Sequence, residues 1–140
     1  MKLTFQSKFR AQIEHEVVWE RVESALEQIE PEFRCYVRLE DPSTGSYIQC
    51  AGGPNRLTVE LRKFKDEAFK HYVLGHASSG REPSIVWTEI LCSSGPIAVH
   101  VPEVLTSKDS VVLFKSFYDG SEIPIAYKAR NVTKFFTRRS

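Results

Sequence analysis

Apolar and polar residues alternate with period two through the middle of the chain. Leu57, Val59 and Leu61 alternate with Thr58, Glu60 and Arg62, the pattern of a strand with one buried and one wet face. Residues 47–74 read as strand, turn, strand, short charged break and strand. Gly52-Gly53-Pro54-Asn55 supplies the positive φ and the fixed φ that a reversal needs. Such a meander predicts the centre of an antiparallel sheet. Before it, Cys35, Val37 and Leu39 oppose Arg34, Tyr36 and Arg38, and Asp41-Pro42-Ser43-Thr44-Gly45 is a turn. Leu3, Phe5 and Phe9 share a parity and predict a first strand over 2–9. After a polar loop over 77–83, residues 85–92 and then Ile97, Val99 and Val101 form a hairpin about Ser93-Ser94-Gly95-Pro96, closed by Pro102.

The period changes twice. Val18, Val22, Ala25, Leu26 and Ile29 make one apolar stripe of a helix over 17–29. Pro31 stops it, because proline cannot donate the next hydrogen bond and disfavours helix in the residue before it. Thr106, three residues before Asp109, predicts a capping box for a second helix with Val111, Phe114, Phe117 and Tyr118 on one side. Asp119-Gly120 ends it. The tail from 125 to 140 has Tyr127, Val132, Phe135 and Phe136 to pack, in a short helix or strand. The order predicts a single α+β domain over 1–140, with two main amphipathic helices on an antiparallel sheet of about five to seven strands.

Composition agrees with a globular domain able to bury a core: 140 residues, 41% hydrophobic, 26% charged, net charge +1. That charge excludes a general polyanion binder. No apolar run approaches the roughly 20 residues of a membrane span. The first residues lack the apolar stretch of a secretory signal. Cys35, Cys92 and Cys50 are odd in number and form no Cys-x-x-Cys pair, so the expectation is reduced thiols in a cytoplasmic protein. Asn131-Val132-Thr133 fits the glycosylation pattern, which such a protein cannot use.

Few residues suggest chemistry. Cys92 and His100 fall on facing arms of the predicted hairpin, where contact would give a thiolate nucleophile; burial as a small apolar residue is the commoner fate of a cysteine. His71 and His76 point to opposite faces of a strand and cannot share a metal. Gly52-Gly53-Pro54 is a turn and not a phosphate cradle, since Pro54 removes a donor and a strand follows. Neither a cofactor nor a metal site is predicted. Lys128, Arg130, Lys134, Arg138 and Arg139, with Tyr127, Phe135 and Phe136, resemble a single-strand nucleic-acid surface, but the rest of the chain is not basic and RNP motifs are missing. The sharpest polar feature is acidic. Glu16, Glu20, Glu23, Glu27 and Glu30 are spaced four, three, four, three, which predicts a ridge along the first helix. Such a ridge suits a basic protein partner, or is simply a solvated face.

Four segments together resemble the small immunity proteins of bacterial polymorphic toxin systems. They are residues 47–53 leading into Leu57-Thr58-Val59-Glu60-Leu61-Arg62; Phe69-Lys70-His71-Tyr72; Glu103-Val104-Leu105-Thr106 running into a helix with Leu113-Phe114 and Phe117; and Tyr127 followed by Asn131-Val132-Thr133. The resemblance implies a cytoplasmic, non-catalytic α+β protein, monomeric or homodimeric, that binds and neutralises a cognate toxin. It assigns no contact residue; the acidic ridge is a reading of the residues alone. A regulatory or adaptor binding domain, and a small enzyme using Cys92 with His100, are the alternatives. In a binding protein the meander supports the interface more than it forms it, with Thr58, Glu60 and Arg62 on the wet face as the exception to test.

Overall fold

The computed structural model describes residues 1–77 and 85–136. The polar loop is described only at Ala77, and Arg138 and Arg139 of the basic tail lie outside the described residues. Strands β1 (Lys2–Ser7) and β2 (Arg10–Glu14) form a hairpin, followed by helix α1 (Trp19–Glu27) and strand β3 (Tyr36–Glu40). Then come β4 (Tyr47–Gly53), β5 (Arg56–Lys65) and β6 (Ala68–His76), the predicted meander. The hairpin β7 (Trp87–Ile90) and β8 (Ile97–His100) leads through a 3-10 turn (Val101–Glu103) to α2 (Ser107–Tyr118). Strand β9 (Tyr127–Asn131) and a last 3-10 turn (Thr133–Phe135) complete the order.

Seven strands make one antiparallel sheet in the order β2-β1-β3-β4-β5-β6-β9, and β7-β8 is a separate two-stranded sheet. The fold is α+β, with the meander at its centre. Pro54 and Asn55 form a two-residue turn between Gly53 and Arg56, which pair. The predicted parities hold: Leu3, Phe5, Val37, Leu39, Val59 and Leu61 are buried. With Ile48 and Leu74 they meet Val22 and Leu26 of α1 and Leu113 and Phe114 of α2 in one core. Each such side chain, fully buried, contributes about 1.5–3 kcal/mol.

The capping box forms as predicted. Thr106 Oγ1 accepts from Asp109 N–H at 3.4 Å, and Asp109 Oδ2 accepts from Thr106 N–H at 3.0 Å. Gly120, at φ 72°, follows the C-cap Asp119.

Several local expectations are corrected. Phe9 lies beyond β1 and is 91% exposed, because the chain turns back at Lys8 into β2. The sequence pattern does not mark that edge strand, since Arg10, Ala11, Gln12 and Ile13 are all exposed and it has no buried face. Val18 is the N-cap of α1 and exposed, not part of its stripe. Val101 enters the 3-10 turn instead of extending β8. Phe135 and Phe136 remain largely exposed, whereas Val132 packs inward.

The largest correction concerns sulfur. Cys35 and Cys92 form a disulfide, with Cα atoms 5.5 Å apart, in place of two reduced thiols. The tertiary fold brings together residues separated by 57 positions, which spacing could not reveal. Cys50 alone is free, and burial pushes its thiol up to about 12.

Candidate functional site

The helices cover one face of the seven-stranded sheet. The opposite face carries the wet-side residues of the meander, and β7-β8 covers only part of it. Register decides which side chains meet there. Glu60 lies between Gln49 and Val73, and Arg62 between Tyr47 and His71. Arg38 lies opposite Gln49, whose Oε1 accepts from Arg38 at 3.0 and 2.7 Å.

His71 is the buried centre of this face, 1% exposed. Arg62 donates Nε–H to His71 Nδ1 at 3.0 Å, and His71 Nε2 lies 2.5 Å from Glu60 Oε1. A guanidinium can only donate, so Nδ1 accepts and the ring proton sits on Nε2, directed at Glu60. The result is a relay of guanidinium, imidazole and carboxylate. Thr133 Oγ1 accepts from His71 N–H at 2.9 Å, and the Phe136 ring lies 4.4 Å from the imidazole. Arg62 also lies over the rings of Phe69 (4.0 Å), Phe136 (4.8 Å) and Tyr47 (5.6 Å). Arg62 thus stacks on rings and donates a hydrogen bond at once, as a planar guanidinium can.

The β7-β8 hairpin closes over one end of this face. Arg56 ties it down by donating to Thr88 Oγ1 at 3.1 Å and to Glu89 O at 2.9 Å. Gln6 links both ends of the disulfide region, accepting from Cys35 N–H at 2.8 Å and donating to Ser93 Oγ at 3.2 Å. Gly52, at φ 133°, is needed here: a Cβ on it would lie 2.7 Å from Ile90 Cγ2 and 2.5 Å from Arg56 O. Without that side chain Ile90 seats on the sheet and is fully buried.

Two cavities open between hairpin and sheet. One, of about 460 Å³, has Lys2, Arg38, Glu40, Gln49, Glu60 and Ile97 among its walls. The other, of about 310 Å³, is more apolar and reaches Thr58, Glu60, Trp87, Val99, Phe135 and Phe136. Thr58, expected on a wet surface, is instead covered and 1% exposed, and its hydroxyl has no hydrogen-bond partner among the described residues. Beside it, Glu103 is buried and holds Arg130 in a bidentate pair at 2.7 and 2.8 Å.

The sequence-derived candidates fare unevenly. Cys92 is bonded to Cys35 and offers no thiolate. His100 pairs with Trp87, whereas Cys92 lies beyond the Ile90–Ile97 pair at the turn end, so at least three residues, about 10 Å, separate them along the hairpin. His71 and His76 do lie on opposite faces: His76 stacks on Tyr127 on the helix side, 3.6 Å from Asp109. Among the described residues no group of His, Cys, Asp and Glu could hold a metal ion. No helix among them is long and apolar enough to cross a membrane.

The acidic ridge is shorter than its spacing implies, because α1 begins at Trp19 and ends at Glu27. Glu16 precedes it in a left-handed conformation at φ 51°. Glu30 lies past it, and its carboxylate accepts from the backbone N–H groups of Phe33 and Arg34 in the turn that Pro31 begins. Glu20, Glu23 and Glu27 remain on the helix. Arg21 does not offset them. It pairs with Glu14 of β2 at 2.8 and 2.7 Å, a hydrogen bond that holds the Glu14 carboxyl below its usual range. Of the basic, aromatic tail weighed and set aside as a nucleic-acid surface, Arg130 is committed to Glu103 and Tyr127 donates to Asp109 at 2.6 Å.

Sequence reasoning singled out Glu60 and Arg62 but not their link through His71. The parity shared by 58, 60 and 62 was visible; the cross-strand partner at 71 depended on the length of the Asp66-Glu67 turn. The chain matches no protein-family model, no curated protein and no solved structure.

Proposed function

We propose that this chain is an immunity protein that binds a bacterial toxin and neutralises it without catalysis, by covering the toxin's active or substrate-binding surface. The resemblance of its four segments gives the class. The observation that supports a binding role is the half-covered sheet face, where Arg38, Arg62, Tyr47, Trp87 and Phe136 are held by stacking and hydrogen bonds. Arginine, tyrosine and tryptophan on a rigid support are the residues that carry most binding energy in protein interfaces. Trp87 and Phe136 are also large apolar groups left exposed beside one another's cavity, a feature associated with contact surfaces.

On this reading the chain acts in the cytoplasm of the toxin-producing cell. The partner carries a basic patch, as proteins that bind phosphate backbones do, and Glu20, Glu23 and Glu27 assist its approach by long-range attraction. The test is co-expression with the toxin domain encoded by the adjoining upstream gene. Growth should be restored by the chain, and the two purified proteins should form a stable complex. A toxin that kills equally well with the chain present, or an upstream gene of ordinary metabolism, defeats the proposal.

A further inference from the structure

The groove beneath the hairpin has a sign and a shape that name what enters it. Its aromatic and aliphatic walls include Trp87, Val99, Phe135 and Phe136, and its volume of about 310 Å³ is open to solvent at one side. That volume equals about ten waters at ~30 Å³ each, room for one long side chain. Two polar groups line it without being saturated. Glu60 uses Oε1 toward His71, and Oε2 makes no hydrogen bond among the described residues. Thr58, buried alongside, has a hydroxyl with no hydrogen-bond partner among the described residues.

Charge decides the chemistry of the occupant. Arg130, the basic residue on the wall, is neutralised by its bidentate pair with buried Glu103. The charge of Arg62 stands on the far side of the imidazole from Glu60. The imidazole takes only Oε1 of Glu60, and the carboxylate lines the groove. Apolar and aromatic walls ending in a carboxylate fit a long cationic side chain: the stem buries along apolar surface and the head meets the carboxylate.

We propose that this groove receives an arginine or lysine side chain of the protein partner, its cationic head paired with Glu60 Oε2 and its stem packed between Trp87 and the Phe135–Phe136 segment. The proposal rests on the binding-protein reading and supplies its anchoring contact. It moves the centre of the interface from the acidic helix to the opposite side of the sheet.

The test needs no toxin. The peptide acetyl-Gly-Arg-Gly-amide, its lysine version, and a version with uncharged citrulline are titrated into the isotopically labelled, oxidised full chain, and amide and indole shifts are followed. The arginine and lysine peptides should shift Thr58, Glu60, Trp87 and Val99 saturably, and citrulline should not. Glu60→Gln keeps an acceptor for His71 and should weaken arginine binding at least tenfold, with an unchanged melting temperature confirming the fold. Equal binding of citrulline, shifts confined to other surfaces, or an unaffected E60Q variant overturns the proposal. Peptide binding without rescue in the co-expression assay leaves the groove and removes the immunity reading; rescue with no peptide binding does the reverse.

Discussion

Cys92 holds the tip of the β7-β8 hairpin against Cys35, at the threshold of β3, through the disulfide that bridges 57 positions of sequence. The link fixes the turn end of the hairpin to the large sheet.

Breaking that link should destabilise the fold measurably. Closing a loop of this length removes about 4 kcal/mol of unfolded-state entropy in the chain model. The double variant C35S/C92S should therefore unfold at clearly lower denaturant, and amides of β7 and β8 should lose exchange protection before those of β4 and β5. Thiol titration of the native, unreduced chain should find Cys50 alone and only slowly, since burial holds its thiol at about 12. Rapid labelling of two further thiols in the unreduced chain would remove the Cys35–Cys92 bond.

Asp109 joins three elements on the other side of the sheet. It caps α2, accepts from the Tyr127 hydroxyl of β9 at 2.6 Å, and faces His76 of β6 at 3.6 Å. Burial alone would raise its carboxyl, but hydrogen bonds from Tyr127 and Thr106, with His76 nearby, leave it below the usual range. A carboxyl lowered in the folded state stabilises fully above its unfolded value of about 4 and loses that contribution as pH falls through the lower folded value. The urea midpoint should drop between pH 6 and pH 3 more in the native chain than in D109N. Identical drops would remove Asp109 from the acid response.

Thr58 gives a prediction of opposite sign. Its buried, unpartnered hydroxyl costs the free protein stability, so Thr58→Val, of nearly the same shape, should stabilise by about 1 kcal/mol. A lower melting temperature would mean that the hydroxyl is satisfied by water within the groove.

Glu103 is a buried carboxylate with a double task, pairing with Arg130 and accepting from His100 N–H at 2.8 Å. Glu103→Ala leaves a partly buried guanidinium without its partner and should cost about 3 kcal/mol. Loss of the Trp87–His100 edge contact, 4.4 Å between rings, should appear as a shift in tryptophan emission.

Charge reversal of Glu20, Glu23 and Glu27 should slow association with a basic partner and flatten its salt dependence, with dissociation little changed. The same change at Glu30 should instead destabilise the turn it caps. If reversal on α1 alters neither rate nor salt dependence, the ridge is only a solvated face.

The elements legible in the sequence are those whose cause is local. Alternation over 57–62 makes one strand face apolar whatever surrounds it, and the Thr106–Asp109 spacing caps a helix from its own residues. Edge strand β2 carries no such mark, because both its faces are exposed. Spacing alone aligns five glutamates, but local turn chemistry at Glu16 and Glu30 keeps two of them off the helix. The groove, the Arg62–His71–Glu60 relay and the Cys35–Cys92 bond belong to tertiary structure. Each depends on which strands become neighbours and in what register, and that is fixed by burying both helices against one face of the sheet. Residues 35 and 92, or 60 and 71, acquire their chemistry only once packing has brought them together.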